Sequence, residues 1–84
     1  MKFYAIKDDV AGAFSNLMMS PEVGLIRRSL VNAVNDPNPK NQWRTNAEDF
    51  SLYCLGEINE QTGETTSDLK FEFRFSELIK HDAN

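Results

Sequence analysis

The chain has 84 residues, 40% hydrophobic and 26% charged, with a net charge of −4. These values describe one small globular domain and exclude a disordered chain, while no stretch approaches the ~20 apolar residues that would cross a bilayer. The charge is uneven, +2 over residues 1–45 and −6 over residues 46–84, so a polyanion is excluded as a partner except at a local basic surface.

Residues 2–7 are rich in aromatic and branched side chains. Phe3 and Ala5 alternate with Tyr4 and Ile6, which predicts a first strand covered on both faces. The same segment is charged too early to be a signal peptide. Asp8-Asp9 and Gly12 then break the pattern, and Phe14 to Met18 reads as a short second strand. Ser20-Pro21-Glu22 supplies a capping hydroxyl, a proline at the first helical position and an acid in the first turn. Val23, Ile26, Leu30, Val31 and Val34 follow at helical spacing and paint one face, with Arg28, Asn32 and Asn35 opposite. Asn35-Asp36-Pro37-Asn38-Pro39 stops the helix, because proline cannot continue its hydrogen-bond ladder.

Residues 37–46 form a polar loop holding one large apolar side chain, Trp43, and Ala47-Glu48-Asp49 suits a single helical turn. Phe50 to Ile58 reads as a strand, with Phe50, Leu52, Cys54 and Ile58 on one face and Tyr53 and Leu55 on the other. Asn59-Glu60-Gln61-Thr62-Gly63 is a hairpin turn in which Gly63 supplies a positive φ. In the returning strand Leu69, Phe71, Phe73 and Phe75 alternate with Lys70, Glu72 and Arg74. This pattern predicts Phe71 and Phe73 in the core beside Leu52, Cys54, Ile26 and Leu30. Ser76 to Lys80 reads as a short terminal helix, and residues 81–84 as a frayed tail.

The predicted fold is a single α+β domain over residues 1–80. It is a small, mostly antiparallel sheet of three to four strands with one amphipathic helix packed on one face. If the Phe50–Ile58 strand neighbours the first strand, the helix is a crossover between them and that pair runs parallel.

The residues give little material for catalysis or metal binding. His81 is the only histidine and lies in the expected tail, so no base is positioned to activate a serine or cysteine. Cys54, the only cysteine, excludes an internal disulfide, suits a reducing compartment and sits among strand apolars as a small hydrophobe. Two Cys and His residues in total cannot supply a zinc site. The acid pairs Asp8-Asp9 and Glu48-Asp49 do not converge, since adjacent residues on a strand face opposite ways. The four glycines are too scattered for a phosphate-cradling loop. The expectation is a non-enzyme without cofactor or metal.

Two features exceed what packing requires. Lys40-Asn41-Gln42-Trp43-Arg44 sets an aromatic between two cations, the material that holds single-stranded nucleic acid by stacking and phosphate contact. One of Arg27 and Arg28 on the helix would extend this patch, making Arg27, Arg28, Lys40, Trp43 and Arg44 the candidate nucleic-acid residues. The competing reading makes Trp43 a cover for the small core. The second feature is the Tyr53 and Leu55 face, which needs cover from strand one, a loop or a second copy of the chain. It is the candidate protein interface, including that of a homodimer.

Met1-Lys2 with Tyr4, Ile6 and Asp8, the run Asp49-Phe50-Ser51-Leu52-Tyr53-Cys54-Leu55-Gly56-Glu57-Ile58, and Thr62-Gly63 resemble the small nonstructural protein of gokushoviruses. These are single-stranded DNA phages of the microvirus group, the Microviridae. The resemblance covers about two-thirds of the chain, and the Pro37–Trp43 loop and Phe71–Phe75 strand follow it less closely. It implies a phage protein of the host bacterial cytoplasm, absent from the virion and described as acting in DNA binding or DNA replication. It brings no residue roles. The leading expectation is a phage accessory protein acting in viral DNA replication or packaging by binding single-stranded DNA. The alternative is a module that binds a phage replication or assembly protein, or a host protein.

Overall fold

A computed structural model describes residues 1–81. In chain order the elements are β1 (Lys2–Asp8), β2 (Ala13–Ser20), α1 (Val23–Val34), α2 (Gln42–Thr45), a 3-10 turn (Ala47–Asp49), β3 (Phe50–Ile58), β4 (Thr65–Arg74) and a second 3-10 turn (Phe75–Leu78). The strands form one four-stranded sheet in the order β2-β1-β3-β4, every neighbouring pair antiparallel. The fold is thus the small α+β sheet with one main helix that the sequence predicts. Of the tail expected at 81–84, residues 82–84 lie outside the described residues.

The parallel pairing of β1 and β3 does not occur. The two strands are neighbours, but β2 reverses the chain before the helix begins, so β3 returns antiparallel to β1. The crossover through α1 instead joins β2 to β3, with β1 between them.

One face of the sheet carries the core. Tyr4, Ile6, Leu52, Cys54 and Phe73 meet Ile26, Leu30 and Val34 of α1, and Ala47, Phe75 and Leu78 close the end. The spacing of Ile26, Leu30 and Val34 is the helical stripe seen in the sequence. The start of α1 differs in detail. Its N-cap is Glu22, and the Ser20 hydroxyl is spent in a local turn, donating to the Glu22 carbonyl at 2.7 Å. Asn35 is also not on a solvated face. Its amide donates to the carbonyls of Val31 and Leu78, and its Oδ1 accepts from the Lys80 amide, so it ties the helix end to the C-terminal segment. Asn41 donates to the Ala33, Val34 and Asp36 carbonyls and satisfies groups that any helix end leaves unpaired.

Two irregularities in the β3–β4 pairing decide which side chains face which way. Leu52 pairs with Phe73, yet Tyr53 pairs with Phe71, so Glu72 is an extra residue bulged out of β4. A bulge reverses the alternation beyond it. Phe73 therefore enters the core at 7% exposure, while Phe71 emerges on the opposite face at 45% exposure and Leu69 is exposed as well. The expectation that Phe71 and Phe73 share the core fails at this one residue. A second shift falls at Gly56, whose φ is +146° and where a Cβ would stand 1.9 Å from the Thr66 carbonyl oxygen.

Candidate functional site

The helix, both 3-10 turns and α2 all pack on the core side, and among the described residues no element covers the other face of the sheet. Strand alternation and the bulges place Phe14, Ala5, Lys7, Tyr53, Phe71 and Arg74 on this open face. Phe14 of β2 meets Tyr53 of β3 with ring centroids 5.6 Å apart, and Tyr53 meets Phe71 of β4 at the same 5.6 Å, both edge to face. Ala5, the β1 partner of Tyr53, is fully buried and too small to hold the rings apart. The outcome is a row of three aromatic rings running across all four strands. Phe14 and Phe71, at 44% and 45% exposure, present their rings to solvent at its two ends.

Cations flank the row. The Lys7 Nζ stands 5.7 Å from the Phe14 centroid and 5.5 Å from that of Tyr53, and the Arg74 guanidinium stands 6.0 Å from that of Phe71. Lys7 and Arg74 both pair with Ser51 across the strands, so they lie in one line beside the rings. Asp9 sits between them, its Oδ2 3.0 Å from Arg74 Nη1 and its Oδ1 3.8 Å from Lys7 Nζ. The buried Ser51 hydroxyl donates to the same Oδ2 at 3.1 Å, and Arg74 Nη1 also donates to the Glu48 carbonyl at 2.8 Å.

The residues singled out from the sequence are distributed differently. Trp43 is half-buried and packs edge-on against Phe75, centroids 5.6 Å apart, as a cover on the core. Lys40 and Arg44 line two separate surface depressions, the first with Trp43, Asp8 and Phe50, the second with Glu48, Ser76 and His81. Arg27 lies over the Phe73 ring at 5.9 Å on the helix side, and Arg28 is exposed on α1. Seven residues, roughly 10 Å of helix, separate Arg27 from the end of α1. Tyr53, chosen as a protein interface, is the centre of the aromatic row, and Leu55 is half-buried on the same strand. Sequence reasoning missed Phe14, Lys7, Arg74 and Asp9 as partners. The available signal was the placement of Lys7 in the Phe3/Ala5 alternation; the position of Phe71 was hidden by the bulge.

On the core side, burial pushes the Tyr4 hydroxyl above its usual range, with smaller contributions from Cys54, Glu72 and Glu22. Cys54 is buried and its thiol is directed at the Gly56 carbonyl. Among the described residues no three His, Cys, Asp or Glu side chains are grouped to hold a metal ion, and no helix is long and apolar enough to cross a membrane.

The profile of a family described as Phage ORF5 protein matches residues 1–73. The chain belongs to the phage ORF5 protein family. No curated protein and no solved structure gives a significant match. The family match takes in β1, β2, β3 and β4 as far as Phe73, and thus all three rings of the open face and Lys7. Arg74 and the final 3-10 turn fall just beyond it.

Proposed function

We propose that this phage accessory protein is a non-enzymatic factor of the host bacterial cytoplasm that binds single-stranded DNA during viral replication or packaging, and that the open sheet face receives the strand. The observation that carries this reading is the Phe14–Tyr53–Phe71 row with Lys7 and Arg74 beside it. Every base has a π-face, so solvent-facing rings on a sheet accept unpaired bases whatever their sequence, and each stack contributes about 1–3 kcal/mol. Bases in a duplex are already stacked on one another and cannot reach a flat platform, which gives a preference for single strands. The resemblance to the gokushovirus nonstructural protein supports the role in replication.

The test is a fluorescence titration with labelled oligo(dT) and with a duplex of equal length, at low and at physiological salt. Binding of the single strand in preference to the duplex is expected. Phe14→Ala should weaken it roughly 5- to 150-fold, the loss of one stack, while Trp43→Ala should leave affinity within about twofold. Absence of binding at low salt would refute the reading. Loss of binding with Trp43→Ala and not with Phe14→Ala would return the site to the loop.

A second reading, docking of a phage or host protein or of a second copy, has its own support. Edge strand β2 bears no charged residue and exposes Phe14, Leu17 and Met19, and Phe3, Leu17, Met19 and Ile58 line an apolar hollow beside it. A concentration-dependent rise in mass by light scattering would favour the second copy as its occupant.

A further inference from the structure

Asp9 is the only carboxylate in contact with the two cations of the open face among the described residues. It closes no turn through its side chain: Asp8 does that, its Oδ1 accepting from the Val10 and Ala11 amides. The Asp9 backbone is fixed independently, its amide donating to the Asp49 carbonyl at 2.8 Å. Only the side chain is committed to the cations and to the Ser51 hydroxyl, and rotation about its Cα–Cβ bond would free the cations without moving the strand, at the cost of that one hydrogen bond.

The position is that of an anion held between Lys7 and Arg74 at the edge of the aromatic row. A base stacked on Phe14 or Phe71 carries its phosphodiester close to the ring, and Lys7 and Arg74 stand over these rings, 5.7 and 6.0 Å from their centroids. We infer that Lys7 and Arg74 form a subsite for a backbone phosphodiester, and that Asp9 is its internal occupant in the free protein, displaced when the strand binds. The inference rests on the single-strand reading above and adds the phosphate subsite and its competitor. Chemically it is an exchange of one oxyanion for another on the same N–H donors. Arg74 suits it because its guanidinium offers several donors, so one Nη1 hydrogen can stay on the Glu48 carbonyl while the other, or Nη2, turns to phosphate.

The exchange makes a directional statement. An aspartate between two cations lowers their attraction for phosphate, so neutralising it without changing its shape should tighten binding. A unit charge about 4–5 Å from a phosphate in water, or an exposed ion pair released, changes affinity by roughly 2- to 10-fold. The experiment compares Asp9→Asn with the parent protein on labelled oligo(dT), and on the same oligomer with an uncharged methylphosphonate backbone. Thermal melts are run alongside. The expected result is tighter binding of oligo(dT) by Asp9→Asn and no gain on the uncharged strand. Lys7→Gln, at a half-buried strand position, should do the reverse, weakening oligo(dT) several-fold and leaving the uncharged strand unaffected. If the parent protein binds oligo(dT) but Asp9→Asn binds equally or more weakly while folded, the subsite is wrong and the single-strand reading survives. Should Asp9→Asn fail to fold, an unchanged affinity for Lys7→Gln overturns the inference by itself. If the parent protein binds neither strand, the functional reading falls and the subsite falls with it.

Discussion

Phe71 and Phe73 are two residues apart on one strand, yet the bulge at Glu72 gives them opposite surroundings, and their truncations should separate cleanly. Phe73 faces Leu52 in the core at 7% exposure, so Phe73→Ala removes a fully packed ring and should cost ~3–5 kcal/mol. A domain of this length has a total stability of ~4–13 kcal/mol, so that loss leaves it near the unfolding threshold. Phe71 is 45% exposed and gives up only its buried half and an edge contact with Tyr53. Phe71→Ala should therefore cost only about 1–2 kcal/mol. Urea unfolding followed by circular dichroism reads both values, provided the slope of free energy against denaturant stays unchanged. The same two variants divide the other way in binding. Phe71→Ala should weaken oligo(dT) by the loss of a stack, while Phe73→Ala, at a urea-free temperature where it is folded, should not. Equal destabilisation by both truncations would refute the reasoning, because it would mean that both rings lie in the core, that the bulge is absent, and that the aromatic row is two rings rather than three.

Gly56→Ala should be among the most destabilising alanine substitutions in the chain. The new Cβ meets the Thr66 carbonyl oxygen at 1.9 Å and φ is +146°, so strain of ~1–3 kcal/mol adds to an overpacking cost of similar size. Gly63→Ala, with φ +78° and open space around the site, serves as the control in the same urea series and should lose only ~1 kcal/mol. Tyr4 makes stability fall in alkali: its hydroxyl is held above the ordinary value of 10.0 chiefly by burial, so the unfolded chain loses that proton first. The contribution is therefore intact below about pH 10 and is lost as pH rises from there through the folded value. Tyr4→Phe should flatten the decline measured by melting between pH 9 and 11.

The elements were largely legible because local chemistry decides them. Ile26, Leu30 and Val34 fix the buried face of α1, and Phe50 to Ile58 begins and ends where its branched and aromatic run does. The turn at Asn59–Gly63 forms for the expected reason, with φ +78° at Gly63 and the Asn59 Oδ1 accepting from the Gln61 and Thr62 amides. Pairing was less legible. The order β2-β1-β3-β4 depends on β2 being a full strand, and its sequence, Ala-Phe-Ser-Asn-Leu-Met-Met-Ser, lacks alternation because Asn16 adopts φ 54° within it. The candidate site was least legible of all. Its rings come from three strands, Phe14, Tyr53 and Phe71, and no spacing along the chain announces such a row. The cleanest alternation in the sequence, Leu69 to Phe75, misled for a physical reason. Period-two reading assumes an unbroken pleat, and a single bulged residue inverts every side chain beyond it.

The charge of the chain, −4 overall, bears on how such a face would hold a polyanion. Among the described residues only two cations, Lys7 and Arg74, flank the rings, and Asp9 partly neutralises both. Two phosphate contacts release few counterions, so the logarithm of affinity should fall with the logarithm of salt with a slope of only about −1.4 at ~0.7 per contact. By contrast, three exposed or half-buried rings at about 1–3 kcal/mol per stacked base outweigh that electrostatic part. The proposed binding is therefore dominated by stacking, with charge serving to set the register of the backbone beside the rings. That division explains how an acidic domain can be a candidate for single-stranded DNA, since bases on Phe14 and Phe71 need no extended basic surface. It also explains why the duplex, which offers phosphates but no free π-faces, would gain little from this face.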